Sequence, residues 1–315
     1  MNKLIYPEKQ GTATATSANA AYPVTNLTAN DVRKECWKAA AAVENATVRC
    51  PISANADGLT VQGTNAESAI CTVTLDSAEK IMDASPAVDA GGGLVKLQIP
   101  LHGMSTGNVV LVNGTTNYDG VSTLPSQALG DANNLIITAT FVAETPAITD
   151  TACVVVETET HDLATISVDR FWQAYTSQAA AHTATIELTA ASGATVHAGI
   201  FRAGTLVEIS GPQYGAGEGE ENYDIIYSMR NGAFDGKSGE EVRTFDYQIT
   251  ILRETTLRTL QRIAKFYRPD PFAMLISDQA GNDNMWSVYG RLLSWRVTHT
   301  TPTRSTVSIS IEEVV

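Results

Sequence analysis

The clearest pattern of hydrophobic and polar positions lies in residues 254–269, ETTLRTLQRIAKFYRP. Its apolar positions recur at steps of three and four, the spacing that puts side chains on one face of an α-helix. Prolines at positions 269 and 271 end the helix, because proline lacks a backbone N–H and clashes with the preceding turn. The pattern predicts one principal helix over about residues 255–268. Its apolar face comprises Leu257, Leu260, Ile263, Ala264, Phe266 and Tyr267, and its polar face comprises Arg258, Gln261, Arg262 and Lys265.

The segments on both sides of this helix have a hydrophobic period of two. Phe245, Tyr247, Ile249 and Ile251 alternate with polar residues before the helix, and residues 307–311 alternate in the same way near the end of the chain. Such alternation predicts strands with one packed face and one solvent-exposed face. Residues 213–315 are therefore predicted to form a sheet on which the helix packs.

The remainder of the chain consists of short apolar runs separated by turn residues. Residues 50–76 are predicted to be strand, turn and strand, and residues 94–157 contain several short strands joined by glycine-rich turns. Residues 1–21 are small and polar, and they are expected to form either an extended N-terminal arm that a neighbouring surface orders or a frayed terminus. Residues 213–224, QYGAGEGEENYD, are predicted to be an acidic glycine loop that leads into a long hairpin over residues 223–252. The predicted fold class is mainly β, with several sandwiches or barrels and one principal helix.

The net charge of −13 over 315 residues is spread through both halves of the chain. Nucleic-acid binding is not expected, because it requires clustered lysine and arginine. No apolar run is long enough to span a membrane, and the N-terminus lacks an apolar signal-peptide core, so synthesis in a host cytoplasm is expected. The cysteines, which include no CxxC pair, are expected to be free thiols, and a Cys36–Cys50 disulfide is left open.

Two groups of residues suggest chemistry. Glu218, Glu220, Glu221 and Asp224 in the acidic loop could hold calcium, but the EF-hand spacing is absent, and a solvated loop or a contact with a basic partner is favoured. Trp37, Trp172 and Tyr175 are candidate glycan-stacking residues, whereas Trp286 and Trp295 are predicted to be core. No catalytic, cofactor-binding or metal-binding residue is predicted, and the chain is not expected to be an enzyme.

The sequence YPVTNL, followed by Trp37 and by GLTVQGTNAESAICTVTL, resembles the front of a discoidin-like jelly roll. Such domains are common in phage tail proteins, where carbohydrate binding is the usual assignment. Residues 94–157 resemble a small β module that is inserted into phage structural proteins. Its features here are the turn over residues 102–108 with His102 as its brace, the strand over residues 109–114, the YDG turn at 118–120 and a late strand carrying Phe141, although Asn108 replaces the usual Asp. The resemblance implies a sandwich of residues 22–93 plus 158–212 around an inserted module.

Residues 213–315 resemble the ring-forming domain of siphophage distal tail proteins. That resemblance implies a virion protein that forms a hexameric ring with itself and contacts the tail tube and the baseplate or hub proteins. Tyr223, Ile225, Tyr227, Phe245 and Tyr247 are the expected subunit contacts. The alternatives are a module that binds host polysaccharide, a tail-tube or head-decoration protein, and an enzyme that acts on cell-surface sugar.

Overall fold

The computed structural model describes most of the chain and confirms the predicted fold class, with 57% of residues in strands and 7% in helices. None of the helices in the described part of the chain is long and apolar enough to cross a membrane. The described residues are 2–29, 36–75, 79–125, 133–166, 169–209, 217–222, 225–228, 234–237, 241–251, 254–266, 270–275, 287–301 and 304–314.

Strands account for nearly all of the regular structure. The first strands are β1 (Asn2–Glu8), β2 (Thr14–Ala15), β3 (Trp37–Lys38), β4 (Asn45–Ile52), β5 (Gly58–Gln62), β6 (Ala66–Leu75), β7 (Lys80–Ile81), β8 (Val88–Gly91), β9 (Leu94–Gln98), β10 (Val109–Asn113), β11 (Gly120–Thr123) and β12 (Asn134–Thr138). The later strands are β13 (Thr151–Asp162), β14 (Arg170–Ala174), β15 (His182–Ala190), β16 (His197–Ala198), β17 (Ile200–Ile209), β18 (Gly217–Asn222), β19 (Ile225–Ser228), β20 (Phe234–Lys237), β21 (Glu241–Ile251), β22 (Phe272–Leu275), β23 (Ser287–Thr301) and β24 (Arg304–Glu313). The helices are a 3₁₀ helix (Val24–Thr28), α1 (Leu163–Ile166) and α2 (Glu254–Phe266).

One sheet has eight strands, ordered β11-β10-β13-β6-β15-β4-β2 with β7 beside β13. The β-sandwich packs the β6-β15-β4-β2 part of this sheet against strands β14, β5 and β17 of a second sheet. Its core includes Trp37, Leu59, Cys71 and Phe201, all almost completely buried. All four cysteines are free thiols, three of them buried and Cys36 half-buried.

The second sheet continues without interruption into the C-terminal unit. Its nine strands are ordered β14-β5-β17-β1-β22-β23-β24-β21-β18. Strand β17 pairs with β5 through its first half and with β1 through its second half, and β1 pairs on its other side with β22. Residues 2–8 of the predicted extended arm therefore form a strand that lies between β17 and β22. Leu4 and Ile5 are buried on opposite faces of the sheet, because each faces a different hydrophobic core.

Helix α2 packs on the C-terminal part of this sheet, as its periodicity predicts. Leu257, Leu260 and Ile263 join Val307, Ile309 and Ile311 in one core. Phe266 was expected in the buried stripe but is 58% exposed, at the end of the helix. Tyr267 lies outside the described residues.

The inserted module has a hydrophobic core of its own between the three-stranded sheet β12-β9-β8 and strands β10, β11 and β13. Met82 and Ala87 belong to this core, so the module begins before residue 94 and the glycines at 91–93 connect two of its strands. Buried His102 braces its turn as predicted, since its Nδ1 accepts the Met104 N–H at 3.0 Å. Phe141 does not lie in a strand, because β12 ends at Thr138.

Candidate functional site

The aromatic residues predicted to stack on a glycan lie in the protein interior. Trp37 is completely buried and its indole N–H donates to the Ser17 carbonyl at 3.1 Å. Tyr175 is 7% exposed, with its hydroxyl 2.9 Å from His182 Nε2, and burial raises the pKa of the hydroxyl. Trp172 is half-buried and donates its indole N–H to Ser287 Oγ. The prediction of a stacking platform is wrong for Trp37 and Tyr175, which stabilise the sandwich.

The predicted subunit contacts occupy three different settings. Phe245 is 2% exposed beneath α2 and is core, which corrects its assignment as a contact. Tyr247 lies opposite Ile309 in the β21–β24 ladder. Ile225 and Tyr227 lie in β19, opposite Lys237 and Asp235 of β20. Tyr223 lies outside the described residues.

Strands β19 and β20 form a hairpin that pairs only with itself in the described part of the chain. The hairpin extends from the point where the β18–β21 ladder ends, at the pair Asn222 and Glu241. An isolated two-stranded hairpin is marginally stable in water unless another surface packs against it. A neighbouring surface would stabilise a hairpin of this kind.

Strand β18 is the last strand of the nine-stranded sheet. Its residues were predicted to be an acidic loop, and the structure corrects this, because residues 217–222 pair in register with residues 241–246 of β21. The outer side of an edge strand presents a row of backbone donors and acceptors that another chain can pair with. The sequence of this strand, GEGEEN, contains three glutamates.

A groove of about 470 Å³ runs between α2 and β23. It is lined by Gln261, Ala264 and Lys265 of the helix and by Leu292, Leu293, Ser294 and Trp295 of the strand. The pairing of β23 with β24 skips Leu293, because Leu292 pairs with Ile311 and Ser294 with Ser310. Such a bulge redirects a side chain, and Leu293 is 49% exposed.

The outer face of α2 beside this groove is basic. Arg258, Arg262 and Lys265 are exposed, on a chain whose net charge is −13. Trp295 was predicted to be core; it is half-buried, packs against the core beneath α2 and also lines the groove. Trp286 lies outside the described residues. Sequence reasoning missed the groove, although two consecutive leucines in a strand of period two are a signal of a bulge.

A buried arginine connects the N-terminal strand, the sandwich and the C-terminal unit at the middle of the sheet. Arg202 is fully buried, and its guanidinium donates to the carbonyls of Leu27 at 3.2 Å and Ala29 at 2.5 Å and to the Tyr289 hydroxyl at 2.6 Å. Its Nε lies 3.4 Å from Glu8 Oε2. Burial raises the pKa of Glu8, although the Arg202 charge opposes this change.

A second buried polar cluster lies where β14 of the sandwich meets β23 and β24. The Arg170 guanidinium donates to the Ser287 carbonyl and, at 3.2 Å, to Glu313 Oε1. Ser287 Oγ accepts the Gln62 amide N–H at 3.0 Å and the Trp172 indole N–H. Glu313 is 3% exposed, so both members of the ion pair are nearly excluded from water. These bonds attach the C-terminal unit to the sandwich and hold the groove and the edge strand on one continuous sheet.

Neither a family model nor a curated protein matches the sequence. Among solved structures, the chain is similar to chitosan-binding module 1 of the chitosanase/glucanase from Paenibacillus sp. IK-5. The identity is 12%, the TM-score is 0.26, and the match covers 62% of this chain and 94% of the module. A selenomethionine-labelled mutant of that module matches with the same identity and TM-score over 61% of this chain and 92% of the module. A likeness with this TM-score carries no conclusion about function.

Proposed function

We propose that the chain is a structural virion protein of a tailed bacteriophage, a subunit of the distal tail or baseplate ring that joins the tail tube to the tail tip. The resemblance of residues 213–315 to the ring-forming domain of distal tail proteins suggests this place in the virion. On this proposal the protein acts by contacts with copies of itself and with the tail-tube and hub proteins, and it catalyses no reaction.

The observation that carries the proposal is the β19–β20 hairpin. It pairs only with itself among the described strands and extends from the β18–β21 ladder at the edge of the large sheet. The outer side of β18 has backbone groups with which a neighbouring chain could pair, and a two-stranded hairpin is marginally stable without a surface beside it. Strand addition between neighbours is a common way to satisfy such an edge. If the subunit assembles with neighbouring copies, contacts between chains would account for both the self-paired hairpin and the outer side of β18.

The continuous sheet suits a subunit that keeps its attached parts in fixed positions, rather than a protein whose parts close around a substrate. Strands of the sandwich, the N-terminal strand β1 and the C-terminal unit all belong to it. The buried ion pairs of Arg202 with Glu8 and of Arg170 with Glu313 connect these parts. A ring built on this sheet would therefore hold the sandwich and the inserted module in fixed positions outside it.

Host-polysaccharide binding, the alternative reading, has no comparable observation in its favour. Of the three residues on which it depended, Trp37 and Tyr175 are buried and hydrogen-bonded within the sandwich. The third, Trp172, is half-buried and donates its indole N–H to Ser287 Oγ.

The proposal is tested on phage particles whose genome encodes this chain. Quantitative mass spectrometry of purified virions is expected to find the chain at ring stoichiometry, near six copies per tail. An antibody against the chain is expected to label the tail tip in electron micrographs. Absence of the chain from purified particles would refute the proposal, and labelling of the head or of the whole tube would move the protein to another position in the virion.

A further inference from the structure

We propose that His161 is a proton-sensitive contact that controls, through strand β14, how firmly the C-terminal unit is attached to the sandwich. His161 lies near the end of β13, and β14 has one face against it and the other against the C-terminal unit. Protonation of the His161 ring would weaken both attachments of β14. The inference goes beyond the proposed function, because it concerns two units of one chain and requires no partner.

The His161 ring is enclosed between β13 and β14. Its side chain is 8% exposed, and the ring stacks on that of Phe171 with the ring centres 4.3 Å apart. In the part of the chain that the structure describes, His161 Nε2 is buried without a hydrogen-bond partner, and so are both amide atoms of Gln173. An imidazolium ring has two N–H donors and a charge to solvate, which this site does not provide. The site therefore favours the neutral ring.

A carboxylate near the ring gives the charged form another place to go. Glu159 Oε1 lies 4.0 Å from His161 Nδ1, and the Glu159 side chain is 49% exposed. A protonated ring that turned toward Glu159 and solvent would gain a charged partner and leave its stack on Phe171. Glu157 adds negative charge on the same strand, and β6 contributes the buried Cys71, whose pKa is raised by burial so that the thiol stays neutral.

The direction of the pH effect follows from these surroundings. Burial lowers the pKa of His161, and the nearby Gln173 amide opposes this change in part. A histidine whose pKa is lowered by folding adds stability above its ordinary pKa of 6.5, and this stability is lost as the pH falls toward the folded value. Burial and the charge of Glu157 raise the pKa of Glu159, so protonation of Glu159 favours the folded state instead. A loss of stability below pH 6.5 would therefore come from His161.

Strand β14 connects this change to the C-terminal unit because its side chains alternate between the two sides. Phe171 stacks on His161 and belongs to the sandwich core. On the other face, the Arg170 guanidinium donates to the Ser287 carbonyl, and the Trp172 indole N–H donates to Ser287 Oγ. Among the described strands, β14 is at the edge of its sheet and pairs there with β5 alone. When the stack on Phe171 is lost, the bonds to Ser287 are expected to weaken with it.

The test follows hydrogen exchange in the full-length protein at about one pH unit above and one below 6.5, corrected for the intrinsic effect of pH. At the lower pH, the wild-type chain is expected to lose protection in β14, in β22 and in residues 287–290 of β23. The loss should be up to about tenfold for each unit by which folding lowers the pKa of His161. His161→Gln and His161→Phe are expected to remove it, because neither new side chain titrates in this range.

His197→Gln is the matched control. Burial also lowers the pKa of His197, but this residue lies in β16, which pairs with β3 and not with β14. The variant is expected to retain the loss of protection in β22 and β23 at the lower pH. Loss of the pH effect in this control as well would overturn the assignment to His161.

NMR titration of the histidine rings in the wild-type chain tests the same inference without relying on the folding of the His161 variants. The midpoint for His161 is expected below 6.5. Glu159→Gln is expected to lower it further, since the substitution removes the negative charge that favours the protonated ring. A midpoint at or above 6.5 would refute the proton-sensitive contact, and so would a loss of protection that persists in both His161 variants. A loss confined to β13 and β14 would refute the connection to the C-terminal unit.

Discussion

The inserted module and the C-terminal unit are both attached to the sandwich through shared strands, but their attachments differ in chemistry. Strand β13 pairs with β6 of the sandwich through one part of its length and with β10 of the module through the other. The C-terminal unit is joined through β17 and β1, and buried ion pairs at Arg202 and Arg170 cross that junction. The module has its own core. We infer that backbone pairing alone positions the module, and we expect the buried charged groups to make the sandwich and the C-terminal unit unfold together.

The largest effect is expected at Arg202. The Arg202→Met variant removes the buried guanidinium and leaves Glu8 and the carbonyls of Leu27 and Ala29 without it. Loss of one partner from a buried ion pair costs about 3–5 kcal/mol of unfolding free energy. Chemical denaturation should show this loss in probes of the sandwich and of the C-terminal unit together.

The double variant Arg202→Met/Glu8→Gln provides the control for this prediction. It removes the unpaired buried carboxylate and should recover part of the lost stability. If Arg202→Met unfolded only the C-terminal unit and left the sandwich unchanged, the two units would not be coupled through this residue.

The second effect concerns Glu313, which is 3% exposed and pairs with Arg170. Glu313→Gln keeps the shape and removes the charge, while Arg170 retains its bond to Asp169 at 2.6 Å. We expect a loss of about 2 kcal/mol, within the range for charged hydrogen bonds. Glu187→Gln, at an exposed position of the sandwich, should change the unfolding free energy by less than about 0.5 kcal/mol. Equal effects of the two substitutions would contradict a special role for the buried pair.

The sequence predicted elements whose pattern is local and missed those that depend on distant partners. Helix α2 and the alternation of β24 are apparent from spacing alone, because a period of 3.6 or 2 over ten residues reports one buried face. Strand β1 has both faces buried, through Leu4 and Ile5, so it lacks the alternation that would reveal it. Its partners, β17 and β22, lie about two hundred or more residues away in the sequence.

The candidate site was harder to predict for a related reason. Composition indicated a loop at residues 217–222, but glycine and glutamate are tolerated in a strand at the edge of a sheet, and β21 supplies the ladder. An aromatic residue near a loop gives no sign of whether its ring faces solvent, and Trp37 is fully buried. The groove beside α2 exists only where the helix meets the bulge in β23, a contact between two elements that no single segment contains.

The third predicted loss of stability tests whether the inserted module unfolds independently of the sandwich and the C-terminal unit. The Tyr118 hydroxyl donates to the Val142 carbonyl and accepts the Val142 N–H at 3.0 Å. Tyr118→Phe removes both bonds, at a cost of about 1–2 kcal/mol. Because the module has a separate core, hydrogen exchange should accelerate in residues 139–147 while the sandwich and the C-terminal unit keep their protection. A uniform loss of protection throughout the chain would show that the module is as strongly coupled as the C-terminal unit.

The smallest effect is a pH dependence confined to the module. The Glu144 carboxylate accepts the N–H groups of Thr116 at 2.5 Å and Asn117 at 2.9 Å. Slight burial opposes its charged form, but these hydrogen bonds outweigh burial and hold the pKa of Glu144 below 4.5. A carboxyl group whose pKa is lowered by folding adds stability above its unfolded pKa, and that stability is lost as the pH falls through the folded value.

The amides of Thr116 and Asn117 should therefore keep constant protection above about pH 4.5 and lose protection below it, by about 1 kcal/mol, a typical contribution for hydrogen bonds to a carboxylate that is in part solvent-exposed. Hydrogen exchange, corrected for the intrinsic effect of pH, measures this loss. Glu144→Gln should remove the step, since an amide does not titrate in this range. A step that persists in Glu144→Gln would place its origin in another carboxyl group. A step that reached the sandwich as well would show that β13 transmits stability between the two cores, contrary to the difference in attachment inferred from their buried charges.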